Sequence, residues 1–339
     1  MIQEPQQDTR TRSRAERTVI AVLPASAAVE QPIAGTAADL IINGHPIEVK
    51  WVGKGRLGEV QRVLEKDPGS NLVIVARHLS PGAREILSNA GVNWVDETGA
   101  AEIVVGNIIV SRSGTPRQKT AGTKSWTPSV QGVAEALLCG TAATQSAVQQ
   151  RIGLSAGAAT NALRFLTDLG LLTADADRGP ASGRRIVDVR SFLEEYADAV
   201  SDRRSKTELQ IGVTWQDVVS GVEKLGRGLQ REGIAWAVTG SPAAAVMAPY
   251  LSSVSRAMIY VDANSIVELE AIAKKAQLRP IHGGRLTLKP FPTASTERLR
   301  KLVDGLCVAP WPRVYADLRA EGVRGEEAAE HLFEVCHGG

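Results

Sequence analysis

Cysteine is scarce in this sequence, and histidine is not arranged for metal binding. Three cysteines, Cys139, Cys307 and Cys336, are spread over 339 residues without a CxxC spacing. The five histidines show no ligand-like pairing. These absences exclude a disulfide framework and a structural zinc site, and they indicate a reducing, cytoplasmic location.

Long hydrophobic runs are also absent. No apolar stretch reaches the roughly 18 residues needed to cross a membrane. The first residues, MIQEPQQDTRTRSRAER, lack the apolar core of a secretion signal. We therefore expect a protein that is neither exported nor embedded and that has no membrane partner. The polar residues 1–17 are predicted to form a flexible N-terminus.

An excess of charge of either sign is likewise lacking, because the net charge is only +2. The basic residues are nevertheless unevenly distributed. The stretch SRSGTPRQKTAGTK, residues 111–124, contains no acid and is rich in Gly, Pro, Ser and Thr. That composition is typical of a mobile linker, and we assign residues 113–125 as a basic linker between domains.

The stretch DLIINGHPIEVKW, from Asp39 to Trp51, predicts a β-hairpin. Asn43-Gly44 between two apolar runs is the strongest short-range signal for a two-residue turn. With that turn, Asp39 lies directly opposite Glu48. The period of two along a strand then places Lys50 on the same face as Glu48.

Two opposed carboxylates repel each other unless a cation offsets them, and the candidates here are Lys50 and a bound metal ion. The pattern therefore predicts a Mg²⁺ site held by Asp39 and Glu48. The alternative is a solvated hairpin on which these charged residues have no joint role.

An Asp followed by Glu-x-Lys on the next strand resembles the PD-(D/E)XK phosphodiesterase fold. The resemblance implies that Asp39 and Glu48 hold Mg²⁺ and that Lys50 helps to orient an attacking water. Gln61, on the helix predicted over residues 56–66, falls where some members of the fold carry a glutamine. These four residues would be catalytic if the chain is a nuclease.

Helices and strands alternate after the hairpin. The apolar strand NLVIVA is followed by the helix SPGAREILSNAG, with Ser80 as N-cap, Pro81 at the first helical position and Gly91 as the stop. This alternation predicts an α/β domain over residues 18–112.

Beyond Trp126 the apolar spacing changes to a period near 3.6, which predicts three short helices that open at Thr127, Thr144 and Ser155. The third helix is predicted to have a buried stripe and an opposite, polar face. The stripe comprises Ala159, Ala162, Leu163, Leu166 and Leu169, and the polar face comprises Gly157, Thr160, Asn161, Arg164 and Asp168.

A short strand, the basic turn DRGPASGRR and a return strand IVDV follow the third helix. Three helices followed by an arginine-rich hairpin predict a winged helix-turn-helix, assigned to residues 126–200. Such a domain places its third helix in the major groove of double-stranded DNA and its wing near phosphates. The candidate DNA contacts are Ser155, Thr160, Asn161 and Arg164 on the helix, Arg178, Arg184 and Arg185 on the wing, and Arg117, Lys119 and Lys124 in the linker.

The alternative use of this domain is protein contact. Residues 126–200 hold six basic and eight acidic side chains, so their overall field does not attract DNA. Attraction would have to come from the wing and the flanking linker.

Residues 208–339 again alternate between helix and strand. Gly240-Ser241 after an apolar strand resembles the opening of a nucleotidyltransferase fold. That chemistry needs two metal-binding carboxylates two residues apart, and the next strand, AMIYVD, offers only Asp262. We predict a nucleotidyltransferase-like α/β domain that lacks the catalytic carboxylates and serves for contacts.

The Glu-x-Lys hairpin, GVNWVDETGAAEI, the winged helix, WAVTGSPAAA and PRVYADLRAEGVRGEEAAEHL together resemble the AbiEi family. These are antitoxin-type transcriptional regulators of type IV toxin-antitoxin, or abortive-infection, systems. The resemblance implies repression through operator DNA, with a cognate toxin and a homodimer as candidate partners. No cofactor is required for that function, and Mg²⁺ is the one candidate.

The leading interpretation is therefore a sequence-specific DNA-binding regulator that is not an enzyme. Two alternatives remain open. One is a Mg²⁺-dependent DNA nuclease that the winged helix directs to its site, and the other is an antitoxin that acts through protein contacts alone.

Overall fold

The protein is a mixed α/β chain that divides into two compact units, Met1–Ala121 and Gly122–Gly339. A computed structural model describes residues 5–32, 38–65, 71–114, 125–174, 183–201, 207–251 and 253–337, with side chains from residue 14 onward. The boundary between the units falls inside the predicted basic linker.

The first unit contains a seven-stranded sheet with the strands in sequence order. Its elements are α1 (Pro5–Val22), β1 (Val29–Glu30), β2 (Leu40–Ile42), β3 (His45–Trp51), α2 (Leu57–Leu64), β4 (Leu72–Ala76), α3 (Pro81–Asn89), β5 (Asn93–Asp96), β6 (Ala100–Val105) and β7 (Ile108–Ser113). The strands β3, β4 and β5 are parallel, and the other neighbours are antiparallel.

The predicted hairpin forms in the predicted register. Asn43 and Gly44 both have positive φ angles, 48° and 80°, as a two-residue turn of the primed type requires. The ladder runs as far as Leu40 and Ile47. The Asp39 amide also donates to the Ile47 carbonyl, at 2.8 Å, so the predicted pairing of Asp39 with Glu48 is not part of the ladder. A turn fixed by two adjacent residues thus sets the alignment of both strands.

The N-terminus differs from the prediction of a flexible stretch over residues 1–17, because the helix α1 begins at Pro5. Ala15, Val19 and Val22 are buried, and their spacing puts them on one face of the helix. Arg14 donates to both carboxylate oxygens of Glu97, at 2.5 and 2.7 Å. The high content of polar residues obscured an apolar stripe that starts before residue 17.

The sheet of this unit is covered on both faces. Odd-numbered β3 residues such as Ile47 face the core that includes Val19 of α1. Alternate β4 residues such as Leu72 and Ile74 face the opposite core, together with Val60 of α2. This alternation decides which charged residues of β3 lie on which side.

The second unit begins with helices and a small hairpin. Its first elements are α4 (Pro128–Leu138), α5 (Gln145–Ile152), α6 (Ala156–Asp168), β8 (Leu172–Ala174), β9 (Arg184–Ile186) and α7 (Val189–Ser201). The predicted caps are confirmed, since the hydroxyls of Thr127, Thr144 and Ser155 each accept a backbone N–H in the first helical turn.

The predicted return strand IVDV is wrong in position. The strand β9 ends at Ile186, and Val189 already begins α7. Asp188 explains the difference. Its carboxylate accepts the Ser191 amide at 2.6 Å, which starts a helix where the strand was predicted to continue. Hydrogen bonds from Ser191 hold the pKa of Asp188 below its ordinary value.

A second seven-stranded sheet, in the order β13-β10-β14-β12-β11-β16-β15, completes this unit. Its elements are β10 (Leu209–Gly212), α8 (Val218–Arg231), β11 (Trp236–Thr239), α9 (Ser241–Met247), β12 (Ala257–Val261), α10 (Ile266–Lys275), β13 (Arg279–Pro280), β14 (Leu286–Pro290), α11 (Ala294–Arg298), β15 (Lys301–Val303), β16 (Leu306–Val308), α12 (Trp311–Leu318) and α13 (Val323–His337).

One continuous core joins the three-helix part and this sheet. It includes Leu163 of α6, Phe192 of α7, Val238 of β11 and Val314 of α12. The helix α12, which the sequence did not indicate, is buried along its whole length. Within the described ranges, no helix combines the length and apolar content needed to cross a bilayer.

Candidate functional site

The helix α6 presents a short polar surface. Ser155, Thr160, Asn161 and Arg164 are exposed, as predicted, and so is Gly157. The opposite side of the helix is buried against the core of the unit. The four polar residues therefore lie on a surface that a ligand can approach.

The predicted buried stripe of α6 needs one correction. Leu169 is 48% exposed, whereas Phe165 is buried at 7% exposure. Leu169 is the C-cap of α6, and Gly170 reverses the chain with a φ angle of 73°. The side chain at position 169 therefore leaves the helical face that its spacing had indicated.

Hydrogen bonds hold the polar surface of α6 in place. The Arg164 guanidinium donates to the side-chain oxygen of Asn161, and the Thr160 hydroxyl donates to that of Gln145 at 3.2 Å. Gln145 lies in the first turn of α5 and was missed as a candidate. These contacts reduce the rotamer freedom that a bound state would have to remove.

The wing arginines that the structure describes flank this surface. Arg184 donates from Nε to the Thr167 hydroxyl of α6 at 3.2 Å, which ties the hairpin to the helix. Arg185 is exposed on the same strand. Four other predicted contacts, Arg117, Lys119, Lys124 and Arg178, lie outside the described residues.

Arg298 is a basic residue of this region that the sequence did not reveal. It belongs to α11, and a Cβ added at Gly153 would lie only 1.6 Å from its Nη1. Gly153 is the C-cap of α5, immediately before the turn that leads to Ser155. No sequence pattern connects the two, because their contact depends on the packing of α11 against α4 and α5.

The charged residues of the first unit form a second candidate site. In the register of the parallel pair, Glu48 lies beside Leu72 and Lys50 beside Ile74. Those neighbours face the core that contains α2, so Glu48 and Lys50 point to the same side of the sheet. Asp39 directly precedes β2, and its amide donates to the Ile47 carbonyl.

The Asp39 carboxylate has a partner that the sequence did not indicate. It accepts the Val49 amide at 2.7 Å, which offsets part of its charge. Glu48 and Lys50 are half-buried and make no side-chain hydrogen bond or ion pair within the described part of the chain. Gln61, half-buried on α2, extends the set on the helix that covers this side.

The donor set suits Mg²⁺ better than a softer metal. Asp39 precedes β2 and Glu48 lies on the adjacent β3, and Mg²⁺ is usually held by one or two carboxylates with water or phosphate completing its shell. A cluster of three or more His, Cys, Asp or Glu side chains able to hold a metal is not found among the described residues. A metal here would therefore depend on ligands from solvent or substrate.

The strands β11 and β12, where the sequence predicted a nucleotidyltransferase-like fold without its catalytic carboxylates, lie beside a carboxylate that the sequence did not indicate. Asp262 is exposed. Asp317 of α12 is buried, and it accepts the hydroxyls of Thr239 and Tyr260, each at 2.7 Å. A distant helix thus supplies the acid beside β11 and β12.

Searches against family models, curated proteins and solved structures found no match to this chain.

Proposed function

We propose that the protein is a sequence-specific, double-stranded-DNA-binding regulator in which α4, α5, α6 and the β8–β9 hairpin act as a winged helix-turn-helix. The observation that supports the proposal is the exposed polar surface of α6 beside the strand β9, which contains Arg184 and Arg185. A capped helix with a small polar face fits the major groove, and flanking arginines fit phosphates.

The side chains of α6 support base recognition. Arginine can donate two hydrogen bonds to guanine, and asparagine can pair with adenine in the same way. Asn161 and Arg164 are already oriented by their mutual hydrogen bond. Arg184, Arg185 and Arg298 are suited to phosphate contacts, which position the protein without specifying sequence.

The AbiEi-like role, a cognate toxin and a homodimer stay predictions within this proposal. The competing use of the same segment is protein contact. A binding assay with DNA alone separates the two uses, because a protein-contact module would show no sequence preference.

Replacing Arg164 with alanine is expected to weaken binding to the preferred DNA site by about 1–3 kcal/mol and to change binding to random DNA little. The guanidinium would be lost from the base-reading surface while the buried side of α6 stays intact. The site would first be selected from a random duplex pool, and fluorescence anisotropy would measure both affinities.

Arg231→Ala on α8 is the matched control, since it removes the same charge from another exposed helix end. It should leave the preference for the selected site unchanged. Equal losses on selected and random DNA for Arg164→Ala would overturn base recognition by this residue and assign it to a phosphate.

A second candidate function, Mg²⁺-dependent DNA cleavage, is favoured by one observation in the first unit. Glu48 and Lys50 are half-buried charges on the same side of the sheet, and neither has a side-chain partner among the residues that the structure describes. Partly burying unpaired charges carries a free-energy penalty, so their presence indicates a site rather than a structural ion pair.

We expect Mg²⁺ binding without cleavage. Millimolar Mg²⁺ should raise the thermal midpoint of the full chain, because a ligand that binds only the folded state stabilises it. Asp39→Ala should abolish that rise, and Glu65→Gln, at the exposed C-cap of α2, should preserve it. Calorimetry with and without Mg²⁺ would measure the shift.

Cleavage is tested on supercoiled plasmid and on the selected site, in Mg²⁺ and then in Mn²⁺. Both DNAs should stay intact. Metal-dependent cutting that disappears in Glu48→Gln and Lys50→Met would make the nuclease the principal function instead.

A further inference from the structure

A cleft of about 960 Å³ lies inside the second unit. Its lining includes Pro128 and Gln131 from the first turn of α4, together with residues of β12, α12 and the segment after β14. Ordinary ligand pockets range from about 300 to 1,000 Å³. The cleft therefore has room for a small organic molecule in contact with both parts of the unit.

The floor of the cleft is polar and buried. Tyr260, Arg313 and Asp317 line it and are only 5%, 4% and 5% exposed. The Tyr260 hydroxyl donates to Asp317. Nη2 of Arg313 lies 3.2 Å from Glu135 Oε1 without making a hydrogen bond, which leaves a buried donor unused.

One side of the cleft is aromatic. Phe291 and Tyr260 both line it, with ring centroids 6.0 Å apart and an interplanar angle of 32°. Phe291 is half-buried, and Leu251 and Met258 extend the apolar surface. Such a surface accepts a planar ring by stacking.

The lining of the cleft contains four basic residues, Arg256, Lys289, Arg313 and Arg324, against two acidic ones, Asp317 and Glu321. Two of the four are already in ion pairs, Lys289 with Glu208 and Arg313 with Glu135. Arg256 is exposed, and its side chain makes no hydrogen bond or ion pair within the described ranges. A free guanidinium at the mouth of a pocket matches phosphate, which it can bind through two parallel N–H groups.

We propose that this cleft binds a nucleotide, with the base against Phe291 and a phosphate held by Arg256 and Arg324 at the rim. Two features together indicate the class of ligand. A bare anion would leave the aromatic side of the cleft unused, and an uncharged ring would leave the Arg256 guanidinium without a partner. The volume accommodates both parts of such a molecule.

The occupant would also influence α4. Arg313 donates from Nε to Glu135 at 3.2 Å, and Glu135 of α4 also accepts the hydroxyls of Tyr196 and Thr296. Burial raises the pKa of Tyr196 well above its ordinary value, so its hydroxyl keeps the proton that it donates. Gln131 lies one turn before Glu135 on the same helix.

The helix α4 packs directly against α6. Gln131 belongs to α4, and Arg313 is hydrogen-bonded to Glu135 of α4. A ligand that contacts these two residues therefore contacts the residues that position α4, against which the proposed DNA-binding helix α6 packs. This second part of the inference, a nucleotide-dependent change in DNA affinity, rests on the proposed function.

The binding part is tested by calorimetric titration of the full chain with AMP, GMP, CMP, UMP and ATP, and with adenosine and inorganic phosphate. At least one nucleotide should bind about tenfold more tightly than adenosine or phosphate, which corresponds to one added charged contact. Arg256→Ala should lose that advantage, and Arg279→Ala, on β13 outside the cleft, should keep it.

Failure of all five nucleotides to bind would overturn the site, and equal binding of phosphate alone would reduce it to a simple anion site. Phe291→Leu adds a check on the ring, because it should weaken nucleotide binding while leaving phosphate binding unchanged. An unchanged nucleotide affinity in Phe291→Leu would contradict the stacking assignment.

The regulatory part is tested by measuring affinity for the selected DNA with and without saturating nucleotide. The two affinities should differ at least about threefold in the natural chain, within the usual range of allosteric coupling, and should be equal in Arg256→Ala. Nucleotide binding without a change in DNA affinity would overturn the coupling. Absence of any DNA binding would instead overturn the proposed function, while the calorimetric result would still stand for the cleft.

Discussion

Replacing Arg313 with methionine is expected to lower the free energy of unfolding of the second unit by about 3–5 kcal/mol, the range found when one partner of a buried ion pair is removed. Arg313 and Glu135 are 4% and 0% exposed, so Glu135 would be left as a buried charge with only hydroxyl partners. Urea-dependent hydrogen exchange of peptides from α4 and α12 would measure this loss in the second unit alone.

The double variant Glu135→Leu with Arg313→Met is the decisive comparison. Removing both charges eliminates the unpaired carboxylate, so the double variant should be more stable than Arg313→Met alone. Arg227→Met is the matched control, since Arg227 is 67% exposed and pairs with Glu223 at 2.6 Å, and exposed pairs contribute at most about 1 kcal/mol. If the double variant were as unstable as Arg313→Met, the loss of stability would not come from the unpaired buried charge of Glu135.

The Asp96→Ala substitution is expected to destabilise the first unit by at least about 3 kcal/mol, because it leaves several donors without an acceptor. Asp96 is fully buried and accepts the amides of Leu79, Thr98 and Ala100 at 3.2, 2.9 and 3.3 Å. It also accepts the Arg84 guanidinium at 2.8 Å. Hydrogen exchange of peptides from β4 and β5 would follow the change.

Arg84→Gln separates the backbone contacts of Asp96 from its ion pair. Arg84 is 28% exposed, and without it Asp96 still accepts the three amides. We therefore expect a smaller loss than for Asp96→Ala, because the remaining amides still offset the carboxylate charge. A loss equal to that of Asp96→Ala would show that the ion pair, rather than the backbone contacts, dominates.

Asp96 also explains part of the motif GVNWVDETGAAEI, which carried the family resemblance. Its carboxylate joins the segment before α3 to the turn between β5 and β6. Glu97, the next residue, holds Arg14 of α1. Both acids therefore have structural partners, whereas Glu48 and Lys50 make no side-chain hydrogen bond or ion pair within the described part of this unit.

The sequence alone determined the features that depend on neighbours within a few residues. The turn at Asn43-Gly44 and its register follow from backbone angles available to those two residues. The helix starts at Thr127, Thr144 and Ser155 follow from side chains that bond to amides within the next turn. Even the polar face of α6 follows from a period of 3.6 residues.

Only the tertiary structure decided which distant residues meet. Glu135 and Arg313 are 178 positions apart, and no local pattern identifies either as a partner of the other. The same holds for Asp317 beneath β11 and β12, and for Arg298 against Gly153. Patterns of neighbouring residues reflect hydrogen bonds within one helical turn. The cleft and its buried charges arise instead from the packing of α4, α7, α11 and α12 around one core. That packing depends on the complementarity of whole faces, which the order of residues along the chain does not reveal.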